Sequence, residues 1–196
     1  TDSISGILCR LGDIEHHMLH FLENHDEQRI ASPEFAGSAA KGKPMMVVSA
    51  TISTSPTMLY YGQEVGEAGS LNSGFGTHSR TTIFDYAGVP NHQRWMNGGK
   101  FDGGALTTDE KELRDFYKRL LNFSTSSSAL TGKYAEIQTV NRKDTKGYDR
   151  NIFSFVRWSG KQKLVVISNF DAKTTSRFNL TIPASIIKAW GLKNGS

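Results

Sequence analysis

FLENHDEQRI, residues 21–30, decides how this chain is read. It sets Glu23, Asn24, His25, Asp26, Glu27, Gln28 and Arg29 directly behind the apolar run MLHFL of residues 18–22. Nearly continuous apolarity is what a strand buried on both faces of a parallel sheet requires. Such a strand, ending in carboxylate, imidazole, amide and guanidinium groups, delivers reactive side chains to a rim. TMLYYG, residues 57–62, repeats the pattern and runs into Gln63, Glu64 and Glu67. The segment between them is rich in small residues and reads as mostly helical. Ser32 is its cap, Pro33 its first helical residue, and Gly42-Lys43-Pro44 its break. Strand, helix, strand is the grammar of a parallel α/β sheet, which binds ligands at the carboxyl ends of its strands.

Outward from this core, residues 4–19 read as a short helix. A long glycine-rich connection follows the second strand, from about Val65 to Leu106. It carries Phe75, Phe84, Tyr86, Trp95 and Phe101, and a loop of that length is expected to be functional. Thr107-Thr108-Asp109-Glu110 is a capping box opening the clearest helix. Leu113, Phe116, Tyr117, Leu120 and Leu121 give that helix one apolar face. Glu110/Arg114 and Asp115/Arg119 are spaced i,i+4 on its solvated side, and it ends in STSSS, residues 124–128. Beyond it, residues 134–140, 151–158, 163–170 and 177–183 read as strands, with turns at Ser159-Gly160-Lys161 and Asp171-Ala172-Lys173. Strands without intervening helices imply an antiparallel sheet, so a boundary is expected near residues 125–133.

Composition narrows the function classes. The 196 residues are 37% hydrophobic and 21% charged, the balance of a globular protein rather than a disordered one. No apolar run approaches about 18 residues, so no membrane segment is expected. The net charge of +4 is spread over the short stretches KGK (41–43), RKDTK (142–146) and KQK (161–163), which argues against a nucleic-acid partner. The chain opens TDSISGILCRLGDIEHH, without the plan of a signal peptide and without Met, and reads as mature or cut from something longer. The lone Cys9 permits no internal disulfide and suits a small core or helix position. His16, His17, His20 and His25 lack an H-E-x-x-H pattern and read as core or rim residues, so no metal ligand is assigned.

FLENHDEQR resembles a signature of the α-amylase family of glycoside hydrolases, an F-x-x-N-H-D pattern at the end of the seventh barrel strand. PTMLYYGQEVGE resembles the eighth strand, and RTTIFDY and NHQRW the loop after it. The capped helix and the later strands fit, in colinear order, the eighth barrel helix and the C-terminal β-domain. The resemblance thus implies a TIM barrel fragment, its last two βα units in residues 1–128, followed by an antiparallel β-sandwich-type domain in residues 129–196. It makes Asp26 the catalytic transition-state stabiliser, and His25, Asn24 and Arg29 substrate-binding, with Asn24 and Arg29 as supports. Tyr60, Tyr61, Gln63 and Glu64 are expected to pack the barrel mouth. Trp95 and Tyr86 read equally as sugar-stacking platforms or as core or loop anchors.

The same resemblance sets limits. A retaining glycosidase needs a nucleophile and a general acid about 5–5.5 Å apart. The family's G-x-R-x-D nucleophile pattern is absent, since Asp85 and Asp149 do not fit it. Glu67 follows the N-H-D stretch, the wrong order for the acid. The expected activity is therefore that of a longer parent enzyme acting on α-glucans such as starch or maltodextrin, this chain alone being inactive. No cofactor is assigned within the chain, calcium belonging to the parent. An incomplete barrel exposes edges and apolar faces, which predicts self-association or swapping. A periplasmic or secreted parent is favoured. The rival readings are a non-catalytic carbohydrate-binding module and a same-family glucosyl transferase or isomerase.

Overall fold

The computed structural model describes residues 1–69, 79–81, 83, 88–160 and 162–193. The chain forms two compact units. One gathers Thr1–Met18, Thr51–Pro56 and Ser126–Ser196, and the other gathers Leu19–Ala50 and Thr57–Thr125.

The unit built on residues 19–50 and 57–125 is organised by helices. Helix α1 (Asp2–Leu11) belongs to the other unit, so the first helix here is α2 (Lys43–Thr51), with Pro44 in its first turn. It is followed by α3 (Pro90–Met96) and α4 (Thr108–Ser126). The capping box forms in full: Glu110 N donates to Thr107 Oγ1 at 3.3 Å and Thr107 N to Glu110 Oε2 at 2.9 Å. Leu113 and Tyr117 of α4 bury against Met46 and Ala50 of α2, with Leu22, Leu59, Phe116, Leu120 and Leu121 around them. Glu110 is not on the solvated side as the i,i+4 spacing suggested. It is buried and paired with Arg94 of α3, because the box that caps α4 turns its carboxylate inward.

Three sequence expectations for this unit are corrected. Among the described residues, the stretches 18–22 and 57–62 form no ladder. One parallel bridge joins His20 to Thr57, with Met58 N donating to His20 O at 2.7 Å. Parallel pairing is weak per residue and is normally covered on both faces, whereas Leu19 and Phe21 are exposed here. Residues 33–38 are turns rather than helix. Phe35 N and Gly37 N fold back onto Ser32 O, and α2 begins only at Lys43. Val65–Leu106 is not all loop, since it contains α3. The expectations on Phe75, Phe84, Asp85 and Tyr86 lie outside the described residues.

In the other unit, strands β1 (Lys133–Glu136), β2 (Ile152–Ser159) and β3 (Gln162–Asn169) form an antiparallel sheet in that order. The β2–β3 hairpin turns at Gly160, whose φ of 54° suits a residue without a side chain. Central β2 is buried from Ile152 to Arg157 on both faces. Val156 packs with Ile137 and Ile186, the last from α6 (Ala184–Ala189), with Trp158, Leu180, Ile182 and Trp190 at the border. The strand expected over 134–140 stops at Glu136, where α5 (Gln138–Asp144) begins and Glu136 Oε1 accepts from Thr139 N at 2.6 Å. The strand expected over 177–183 does not ladder. The side-chain amide of Asn141 takes a neighbour's place, accepting from Thr181 N at 2.7 Å and donating to Thr181 O at 2.8 Å. Cys9, expected in a core or a helix, is helical and exposed.

Candidate functional site

The polar turn behind the first apolar stretch is built outward from two buried charges. Arg29 is 0% exposed and Glu23 2%. Arg29 Nη1 donates to Glu23 Oε2 at 2.9 Å, Nη2 to Tyr61 O at 2.9 Å and Nε to Thr81 Oγ1 at 3.1 Å. Its guanidinium lies over the Tyr60 ring, 4.4 Å from the centroid, and 5.1 Å from that of Tyr61. The other Glu23 oxygen, Oε1, accepts from Ile30 N at 2.7 Å. Burial pushes Glu23's carboxyl above the usual range, against the pull of Arg29. A buried charge is tolerable only when paired and hydrogen-bonded, as both are here.

On this base stand the residues singled out in the sequence. Asn24 Oδ1 accepts from Asp26 N at 2.7 Å and Glu27 N at 2.8 Å, the self-bonded turn that asparagine favours. Arg80 Nη1 donates to Asp26 O at 2.9 Å. The Asp26 backbone is thus held on both sides while its side chain is left 65% exposed. His25 stands beside it, 48% exposed, with Nε2 3.4 Å from Asp26 Oδ2. His25 and Asp26 are therefore together at the surface. Asn24 shapes the turn below them, and Arg29 lies beneath in the interior.

The second apolar stretch braces this turn. Tyr60 is buried and donates through its hydroxyl to Thr81 O at 2.9 Å, burial raising its phenol to about 12. Gln63 reaches Tyr117 Oη at 3.1 Å. Gly62, at φ 80°, and Gly66, at φ 77°, bracket a tight turn that returns the chain to Glu67. A Cβ on Gly62 would sit 3.0 Å from that of Glu67. Glu67 is buried, and its Oε2 accepts from Asn91 N at 3.0 Å and His92 N at 3.2 Å in the first turn of α3. Burial raises its carboxyl above the usual range. Trp95 of α3 stacks on His92 at 5.6 Å, meets Phe101 at 5.9 Å and lies beneath Arg114 at 5.5 Å.

Sequence reasoning named Glu23 within the cluster but gave it no role, and read Arg80 and Thr81 only as the start of the RTTIFDY loop, without tying them to this turn. The signal for Glu23 was its position between an apolar run and an arginine six residues on. Nothing local pointed to residues 79–81, which reach the turn from about 50 positions away. The rings of His16 and His17 lie 3.9 Å apart, tilted by 42° to each other. Among the described residues, no three His, Cys, Asp or Glu side chains gather as metal ligands would, and no helix is long and apolar enough to cross a membrane.

No curated protein matches the chain in a sequence comparison. Residues 143–188, from the end of α5 through β2, β3 and most of α6, match the family model described as alpha amylase, C-terminal all-beta domain. The match is confined to those residues, and the antiparallel pairing of β2 with β3 within them is in keeping with an all-beta domain of that kind.

Proposed function

We propose that this chain is part of a retaining glycoside hydrolase acting on α-glucans. Residues 1–128 contribute the last βα units of its barrel, and residues 129–196 its C-terminal β-domain. Asp26 is the transition-state-stabilising carboxylate, His25 binds the same sugar ring, and Asn24 and Arg29 support them. The observation that carries this reading is the exposure of His25 and Asp26 side by side on a turn whose base is buried and fully bonded. The parallel bridge between His20 and Thr57 supports it further, since adjacent barrel strands run parallel.

The chemistry follows from charge development. Glycosidic cleavage passes through an oxocarbenium-like state, and hydrogen bonds to ring hydroxyls that strengthen there supply several kcal/mol. Only such differential bonds accelerate the reaction. Asp26 offers an exposed acceptor and His25 an exposed imidazole to adjacent hydroxyls of one glucose unit. Their backbone is fixed before the sugar arrives, so little ordering remains to be done on binding. Transfer to a sugar acceptor instead of water would use the same pair. Glu67, turned onto the α3 amides, is not assigned as the general acid.

Trp95 and exposed Phe101 favour the second reading, a carbohydrate-binding module without catalysis. In the complete enzyme, Asp26→Asn is expected to lower kcat on α-glucans by at least about 100-fold, with the melting temperature unchanged. Near-normal turnover of that variant contradicts the assignment.

A further inference from the structure

We propose that Glu23 is the positioning residue of the His25–Asp26 pair, its two carboxylate oxygens closing the base of the turn that presents them. The inference rests on the sugar-binding reading of that pair. Glu23 Oε1 holds Ile30 N at 2.7 Å, and Oε2 holds Arg29 Nη1 at 2.9 Å. One side chain thereby joins the residue entering the turn to the two residues leaving it. The six residues between Glu23 and Ile30 become a closed loop, with Asn24, His25 and Asp26 at its near end. Arg29 then anchors the loop to two separate segments, through Tyr61 O and Thr81 Oγ1, while its own N–H donates to Ser79 O at 2.7 Å. Arg80, between those last two residues, grips Asp26 O.

Stability alone does not account for this arrangement. A buried ion pair is often matched or surpassed by apolar side chains of similar volume, so its charges are not needed to fill space. What an apolar pair cannot do is hold a backbone amide and a guanidinium at once in directions that fix the path of an irregular segment. The segment has no helix or strand to fix it and depends on side-chain bonds for its shape. Glu23 is also too deep to touch a sugar. Its effect on His25 and Asp26 passes through the backbone that it closes.

The test uses the full chain and its Glu23→Gln variant, which is isosteric and keeps an acceptor for Ile30 N. Amide exchange is measured at Asp26, Glu27 and Ile30, with Leu113 and Tyr117 of α4 as the reference for global stability, and maltoheptaose affinity is measured by NMR titration. We expect exchange at the three turn amides to rise about tenfold while the α4 amides hold, and affinity to fall about tenfold. Asp26→Asn, run alongside, should lose affinity with the turn amides still protected. Unchanged turn exchange in Glu23→Gln, or acceleration equal to that at α4, overturns the positioning role. If Glu23→Gln loosens the turn but neither variant alters maltoheptaose binding, the positioning role of Glu23 toward a sugar site falls together with the sugar reading. If Asp26→Asn alone weakens binding, the sugar reading stands and the role of Glu23 fails.

Discussion

Arg29 and Arg157 are both buried to 1% exposure or less, one in each unit, and they are compensated differently. Arg29 is met by a carboxylate, two aromatic faces, a carbonyl and a hydroxyl. Arg157, in the middle of β2, is met by the carbonyls of Ile52, Leu130 and Gly132, and burial lowers its pKa below the ordinary value. Among the described residues no carboxylate forms an ion pair with it, although Glu15 is close enough to act on its charge. The difference marks two tasks. Arg157 ties off loop carbonyls beside a regular sheet, where the strand ladder already sets the geometry. Arg29 helps to hold an irregular turn that no strand ladder or helix sets, together with Glu23, Asn24 and Arg80.

Replacing each arginine by Met breaks the comparison most directly. Arg29→Met strands the Glu23 charge in the interior and should destabilise its unit by about 3–5 kcal/mol. Arg157→Met leaves three carbonyls short of a donor but removes a buried charge that has no carboxylate bonded to it among the described residues, so its cost should stay within about 1–3 kcal/mol. Denaturant unfolding followed by residue-resolved NMR reads the two units separately. Equal losses, or a larger loss for Arg157→Met, would mean that the carboxylate at Arg29 has no special weight.

A smaller effect sharpens the same point through pH. Glu67, like Glu23, is a buried carboxylate with its pKa raised by desolvation, but it faces backbone amides and, among the described residues, no guanidinium is bonded to it. The folded chain therefore binds its proton more tightly than the unfolded chain. Its contribution to stability is fully present below the ordinary value of 4.5 and is lost as pH rises through the raised folded value. Glu67→Gln keeps the acceptor for Asn91 N and His92 N without the ionisable proton. It should flatten that decline and be at least as stable as the native chain near neutrality. A stability profile rising with pH over the same window in the native chain, with Glu67→Gln less stable, contradicts this.

What the sequence made legible follows the same division. The capping box at Thr107 and Glu110 and the β2–β3 hairpin around Gly160 are written in residues close together in the chain, and both form as expected. The strand over 177–183 was misjudged because its partner is a side chain, Asn141, and no alternation of apolar residues announces that. The parallel strands were overdrawn because apolarity shows what a stretch can bury, not whether neighbours are present to cover it. The pairing of Glu110 with Arg94 instead of Arg114 was hidden because α3 lies within a stretch that read as loop. In the candidate site, Asn24, His25, Asp26 and Arg29 were visible as a cluster. Their sorting into two exposed side chains, a turn-former and a buried anchor depended on Glu23 and on residues 79–81, which reach the turn only through the fold.

The most direct test of the account is to map maltoheptaose onto the chain by NMR. The account predicts saturable shifts centred on the amides and side chains of His25 and Asp26, abolished by Asp26→Asn and little changed by Trp95→Ala. Shifts confined to Trp95 and Phe101, lost in Trp95→Ala and indifferent to Asp26→Asn, would contradict it and establish the binding-module reading in its place.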